Sequence, residues 1–134
     1  RSVAILYDDG LGVYRDPMQA AHWYRECLQQ DPDNTFYMYR LVICLADPFE
    51  DFNLHPDYSM LEEAFSWASK GVEKGDLDCH MMVGWFYETG NVVEQDFNMA
   101  YKYFKIAADN GHELSAELLK RYRKNIFGNY YLPQ

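Results

Sequence analysis

The sequence predicts an all-α chain of stacked helical hairpins, about seven helices in 134 residues. Three observations lead there: an internal repeat, apolar stripes with a 3.6-residue period, and helix start and stop residues set between the stripes. Tyr7, Gly10, Val13 and Asp16 return as Tyr87, Gly90, Val93 and Asp96 at a constant offset of 80 positions. The offset continues without a gap through Ala20 and Ala100, Trp23 and Tyr103, and Tyr24 and Phe104. A third copy lies between them: Ala64-Phe65-Ser66-Trp67-Ala68 aligns with Ala100-Tyr101-Lys102-Tyr103-Phe104, and Gly75-Asp76 with Gly111-His112. No alternating apolar–polar run of similar length competes as a strand.

The elements follow in order. Residues 1–30 read as a partial repeat, in which Asp16 caps a helix, Pro17 takes its first position and Gln19 completes a capping box. Residues 31–74 form a divergent repeat of 44 residues, against 36 from Gly75 to Gly111, and the surplus is assigned to an insert near 47–56. Ser59 with Glu62 reads as the box that opens its second helix. Residues 75–110 form a full repeat, with Cys79, Val83, Gly84 and Tyr87 on one stripe and Ala100, Tyr103, Phe104, Ala107 and Ala108 on the next. Gly75 and Gly111 end helices, as glycine does where the chain turns left-handed. Residues 111–126 read as a capping helix whose run from Lys120 to Lys124 is solvated. Residues 127–134 read as an aromatic tail, and Ile126, Phe127, Tyr130, Tyr131 and Leu132 are expected to cover the last apolar face. Small residues such as Ala4, Gly84 and Ala107 let backbones approach, while Tyr7, Trp23, Tyr87, Tyr103 and Phe104 fill the space between layers.

Composition narrows the functions. With 49% hydrophobic residues a core can be built. Twenty-one acidic against twelve basic residues give a net charge of −9, which argues against nucleic acid or an anionic membrane as main partner. No apolar run approaches the ~20 residues that span a bilayer, so direct membrane insertion is not expected. The chain opens on Arg1 and is read as a processed product or a fragment of a longer repeat protein. Cys27, Cys44 and Cys79 are odd in number and widely spaced, which rules out a full disulfide framework. A cytoplasmic setting is favoured. A lumenal or secreted one stays open, because the N-terminus reads as truncated.

The repeat resembles the Sel1-like repeat, a relative of the tetratricopeptide repeat. The residues that carry the resemblance are Val83, Gly84, Tyr87, Gly90, Val93, Asp96, Ala100, Tyr103, Phe104, Ala107, Ala108 and Gly111 in one unit. The segment 1–30 matches through Val3, Ala4, Tyr7, Gly10, Gly12, Val13, Asp16, Ala20, Trp23 and Tyr24. Val92 stands where the pattern has its second loop glycine, Arg40 where it has the helix glycine, and Ile43 where it has tyrosine. The resemblance implies a right-handed α–α superhelix that binds other proteins. It implies an adaptor or scaffold and no enzyme.

Chemistry-bearing residues agree with that implication. His22, His55, His80 and His112 are scattered, and adjacent Cys79 and His80 diverge on a helix, so neither a metal site nor a Cys–His pair is expected, and no cofactor. In helical-hairpin solenoids the first helix of each unit lines the concave surface. The resemblance therefore points to Tyr37, Leu41 and Cys44 in one unit and Met81, Trp85 and Glu88 in the next, each trio at i, i+4, i+7 spacing on one helical face. His80 joins them as a residue to test. The insert supplies a second candidate surface through Phe49, Glu50, Asp51 and Phe52, acidic and aromatic with no Lys or Arg. The expected partner is another protein or a peptide, and an unfinished N-terminal stack makes self-association a further expectation. The alternative reading is an acidic inhibitor or immunity protein that blocks a basic enzyme.

Overall fold

The computed structural model describes residues 16–50 and 54–134. The expected first half-repeat up to Val13, and Asp51 and Phe52 of the insert, lie outside the described residues. Six helices follow in order: α1 (Pro17–Gln30), α2 (Thr35–Ala46), α3 (Tyr58–Glu73), α4 (Leu77–Thr89), α5 (Phe97–Asp109) and α6 (Glu113–Leu119). A small antiparallel hairpin of β1 (Arg123–Lys124) and β2 (Tyr130–Tyr131) ends the chain, with Arg123 opposite Tyr131 and Lys124 opposite Tyr130.

Each helix starts on a side chain that accepts from the first turn, which has no intrahelical partners of its own. Asp16 accepts from the N–H groups of Met18 at 3.0 Å and Gln19 at 3.3 Å, with Pro17 at the first helical position as expected. Asn34, Asp57, Asp76, Asp96 and His112 cap the others. The start of α3 departs from the expected Ser59–Glu62 box. Its cap is Asp57, which accepts from the N–H of Met60 at 2.9 Å, and Ser59 spends its hydroxyl on the same carboxylate at 2.9 Å. A carboxylate two residues upstream is the stronger acceptor and it wins.

Successive helices pack on one another from α1 to α6, and α2 also touches α4, so the first helices of neighbouring units share a layer. That is the arrangement of a solenoid. Small residues set the seams: Ala20, Ala64, Ala68, Ala100 and Ala107 are fully buried. Gly71 of α3 lies directly on Cys79 of α4, and Gly84 of α4 on the ring of Phe104 of α5. Tyr24, Met38, Leu41, Leu45, Phe86 and Phe104 fill the interior between them. Cys27, Cys44 and Cys79 are buried within it without a disulfide, and no described helix is long and apolar enough to cross a membrane.

Between α4 and α5 the chain turns through Gly90 (φ +74°) and then Val92 (φ +67°). The left-handed conformation suits glycine; for a β-branched residue it is an outlier with a conformational cost of roughly 1–2 kcal/mol. The loop thus keeps the backbone of a two-glycine turn although its second glycine is gone.

The C-terminus corrects the expected helix over 111–126. Helix α6 stops at Leu119 because Tyr122 turns inward, where it is buried against Phe97, Tyr101 and Phe104 and its hydroxyl donates to Glu88 at 2.7 Å. The expected tail is then two things. Tyr130 stacks on Tyr101, centroids 3.6 Å apart, and Leu132 packs on the core, so these do cover the last face. Ile126, Phe127 and Tyr131 do not; the first two stand at the hairpin tip in solvent, and Tyr131 is exposed on β2.

Candidate partner-binding cleft

Helix α4 is apolar almost all round and buries Cys79, Met81, Met82, Val83 and Phe86, which leaves Trp85 and Glu88 half-exposed toward one side. On that side it meets two other segments. Pro48 and Phe49 follow directly on α2, whose end is fixed by Asp47 in the left-handed region (φ +47°) with its carboxylate accepting from the N–H of Leu54 at 3.0 Å. From beyond α5, Leu118 of α6 closes the far side. Between them lies a cleft of about 200 Å3 walled by Met81, Met82, Trp85 and Glu88, floored by Phe104, and flanked by Pro48, Phe49 and Leu118. Its chemistry is aromatic rings and thioethers, with one carboxylate.

That carboxylate is held in place. Glu88 accepts from the Arg121 guanidinium through both oxygens and from the Tyr122 hydroxyl. Burial, then the hydrogen bond to Glu88, push the Tyr122 phenol well above its ordinary range, so it donates at any working pH. The rim of the cleft is therefore rigid on one side. On the other it carries Phe49, which is 45% exposed.

The expected residues separate cleanly on this geometry. Met81, Trp85, Glu88 and Phe49 converge on one cleft, which joins the helix face and the insert into one surface. Glu50 stands next to it in the chain. Leu41 and Cys44 are fully buried, Met81 is 1% exposed, and His80 is 8% exposed with Nδ1 2.7 Å from the carbonyl of Asp76, so none of the four faces solvent as expected, and Met81 borders the cleft only from within its wall. Tyr37 is 7% exposed and edges a different groove with Trp23 and Glu26. The reason is that α2 is covered by α1, α3 and α4, so its i, i+4, i+7 face is an inner seam. Pro48, Met82, Phe104 and Leu118 were not foreseen. Phe104 was visible only as a repeat position, and Leu118 only if α6 were known to fold back across α5.

The two roomier grooves are more polar. One runs along α3 past Glu62, Ser66, Ser69, Lys70 and Glu73, and the other lies between α1 and α2 beside Glu26, Gln30 and Asp31. The second also holds Trp23 and Tyr37, but among three polar or acidic side chains, where the α4 cleft has one carboxylate among apolar neighbours.

One cluster has the outline of a nucleophile, a base and an acid. Ser115 Oγ lies 2.8 Å from His112 Nδ1, and His112 Nε2 lies 2.7 Å from Asp78. Nδ1 also accepts from the backbone N–H of Ser115 at 3.2 Å, which leaves Nε2 to donate to Asp78. Ser115 is fully buried, so no substrate reaches its hydroxyl. The cluster caps α6 and ties it to α4. Among the described residues no group of His, Cys, Asp or Glu is placed to hold a metal ion.

A family model for the Sel1 repeat matches residues 2–30, 61–76 and 77–112. The last match spans α4 and α5, and the model passes over 31–60, where α2 and the insert lie. Among solved structures the chain is similar to a Sel1 repeat protein from Oxalobacter formigenes, at 22% sequence identity and a TM-score of 0.42. The similarity covers 88% of this chain and 60% of that one.

Proposed function

The chain belongs to the Sel1 repeat family, whose repeats are generally non-catalytic modules for protein–protein interaction, and from that premise we propose that it is an adaptor that captures a segment of another protein in the α4 cleft. The observation that carries this reading is the convergence of Phe49, Met81 and Trp85 on one cleft beside a fixed carboxylate. Trp and Met supply large contact area at interfaces, and a pocket walled by them takes an apolar or aromatic anchor from a partner. Glu88 is already matched by Arg121, so the cleft itself has little charge to offer and the anchor is apolar. This supports an apolar-anchored adaptor over an inhibitor that works by charge alone.

Peptide libraries panned on the immobilised protein test it. The enriched peptides share one apolar or aromatic anchor, and Trp85→Ala weakens them by about thirtyfold, the effect of losing a hot spot of ~2 kcal/mol. Enriched peptides that bind Trp85→Ala and Phe49→Ala as well as the parent protein contradict the reading.

A further inference from the structure

Along α1, Trp23, Glu26, Cys27, Gln30 and Asp31 recur at i, i+3, i+4, i+7 and i+8, the spacing of one helical face. With Tyr37 of α2 they line a groove of about 450 Å3, inside the roughly 300–1,000 Å3 range of ligand pockets. Cys27 and Tyr37 are the buried part of the lining, Trp23 is half-buried, and Glu26, Gln30 and Asp31 are exposed. The groove shares no lining residue with the α4 cleft.

Its charge has one sign. Two carboxylates line it, and no Lys or Arg does among the described residues. Glu26 has only His22 beside it, Nε2 to Oε1 3.6 Å, with both side chains well exposed. Asp31 accepts from the side-chain amide of Asn34 at 3.0 Å. The cations nearby in the chain or the fold are committed elsewhere: Arg25 pairs with Glu63 of α3, and Lys74 with Asp33. The backbone adds to the same sign. Helix α1 ends in this groove, the carbonyl end of a helix is its negative pole, and the last turn of α1 carries no basic side chain to offset it. Since the whole chain has a net charge of −9, a cation is drawn toward the groove at long range as well as held on contact.

The rings decide which cation. Indole is the best aromatic partner for a positive charge. A guanidinium is planar and weakly hydrated, so it can lie on a ring while its fork of N–H groups engages carboxylates; an ammonium is a compact charge that keeps its water. A metal ion lacks its ligands, because no group of His, Cys, Asp or Glu among the described residues is placed to hold one.

We propose that the α1–α2 groove binds an arginine side chain of a partner protein, its guanidinium on the Trp23 ring and paired with Glu26 and Asp31. The site stands independently of the α4 cleft.

The three indole N–H signals in nitrogen–proton NMR test this, since Trp23 lines this groove, Trp85 lines the α4 cleft and Trp67 lines neither. The probe is the peptide acetyl-Gly-Arg-Gly-amide at low salt, with citrulline and lysine counterparts. The arginine peptide shifts the Trp23 signal saturably and leaves Trp67 and Trp85 in place. The citrulline peptide, similar in shape but uncharged, moves none of them, and the lysine peptide binds about threefold more weakly. Added salt weakens the arginine peptide, as screening of exposed charges requires. Glu26→Gln combined with Asp31→Asn weakens it about tenfold, the loss of two partly exposed ion pairs, with an unchanged helix signal in circular dichroism. A Trp23 signal that does not move overturns the proposal, as does equal binding of the citrulline peptide or indifference to the double variant. Equal binding of the lysine peptide overturns the assignment to guanidinium. A response at Trp85 alone places the arginine in the α4 cleft and overturns the proposal too.

Discussion

Gly84 of α4 lies so close to Phe104 of α5 that a Cβ at position 84 would stand 2.7 Å from Cε1 of the ring. Phe104 is 1% exposed and also floors the cleft, so this contact fixes both the α4–α5 seam and the depth of the candidate site. Neither partner can retreat without moving its helix. Gly84→Ala is therefore expected to destabilise the fold by about 1–3 kcal/mol, the usual cost of overpacking. Thermal melts check it, and Phe104→Leu in the same chain recovers part of the loss by vacating the ring. A Gly84→Ala protein as stable as the parent contradicts this packing.

Val92 gives the opposite sign. It holds φ +67° in a loop whose family pattern places glycine there. Val92→Gly relieves roughly 1–2 kcal/mol of backbone strain and gives back ~0.5–1 kcal/mol through the freer unfolded chain. A net gain of up to about 1 kcal/mol is expected from chemical denaturation. A loss above ~1 kcal/mol would show that packing of the half-buried Val92 side chain outweighs its backbone.

The pH dependence has one identifiable source between α1 and α3. Glu63 accepts from Arg25 Nε at 2.8 Å and Nη2 at 2.9 Å, and from the Trp67 indole at 3.3 Å. The Arg25 hydrogen bonds, partly opposed by desolvation, lower its carboxyl below the ordinary range. A carboxylate depressed in the folded state contributes stability above its unfolded pKa of ~4.3, and that contribution disappears as the pH falls through the folded value. The pair is partly exposed, so its worth lies within the ~0.2–1 kcal/mol of such bridges. Denaturation from pH 7 to pH 3 should show a smaller acid-side loss for Glu63→Gln than for the parent. Equal slopes would remove Glu63 from the account.

Two thiols are predicted to be inert. Burial pushes Cys44 up to about 12 and raises Cys79 further, with neighbouring Asp76 adding to the shift at Cys79. Thiolate is the reactive form, so a short iodoacetamide pulse at pH 8 leaves both unmodified in the native protein and labels both after unfolding. Mass spectrometry reads the sites. Rapid native labelling of Cys79 would place it outside the α3–α4 seam.

Much of the fold was legible because its signals are local and repeated. Asp16 with Pro17, the glycine at 84 opposite an aromatic ring at 104, and the constant offset between units each follow from a few neighbouring residues. What was illegible depends on a third element. The stripe Tyr37, Leu41, Cys44 marks one face of α2, but only the placement of α1, α3 and α4 shows that this face is an inner seam. The box at Ser59 was plausible until Asp57 competed for the same amides. The hairpin was hidden by the brevity of its strands, two residues each, and by four cations between Lys120 and Lys124 that suit a solvated helix equally well. The cleft drew on both kinds of signal: Trp85 and Met81 came from what the family resemblance implies for the first helix of a unit, together with helical spacing, while Leu118 came only from the return of α6.

Methionine methyl NMR tests the central claim most directly. The chain has six methionines, of which Met81 and Met82 line the cleft while Met18, Met38, Met60 and Met99 do not. On titration with a panned peptide, the ε-methyl signals of Met81 and Met82 are predicted to shift saturably, the other four to stay, and Trp85→Ala to abolish the response. Saturable shifts confined to the other methionines, with Met81 and Met82 unmoved, would place the binding surface elsewhere on the solenoid and contradict the account.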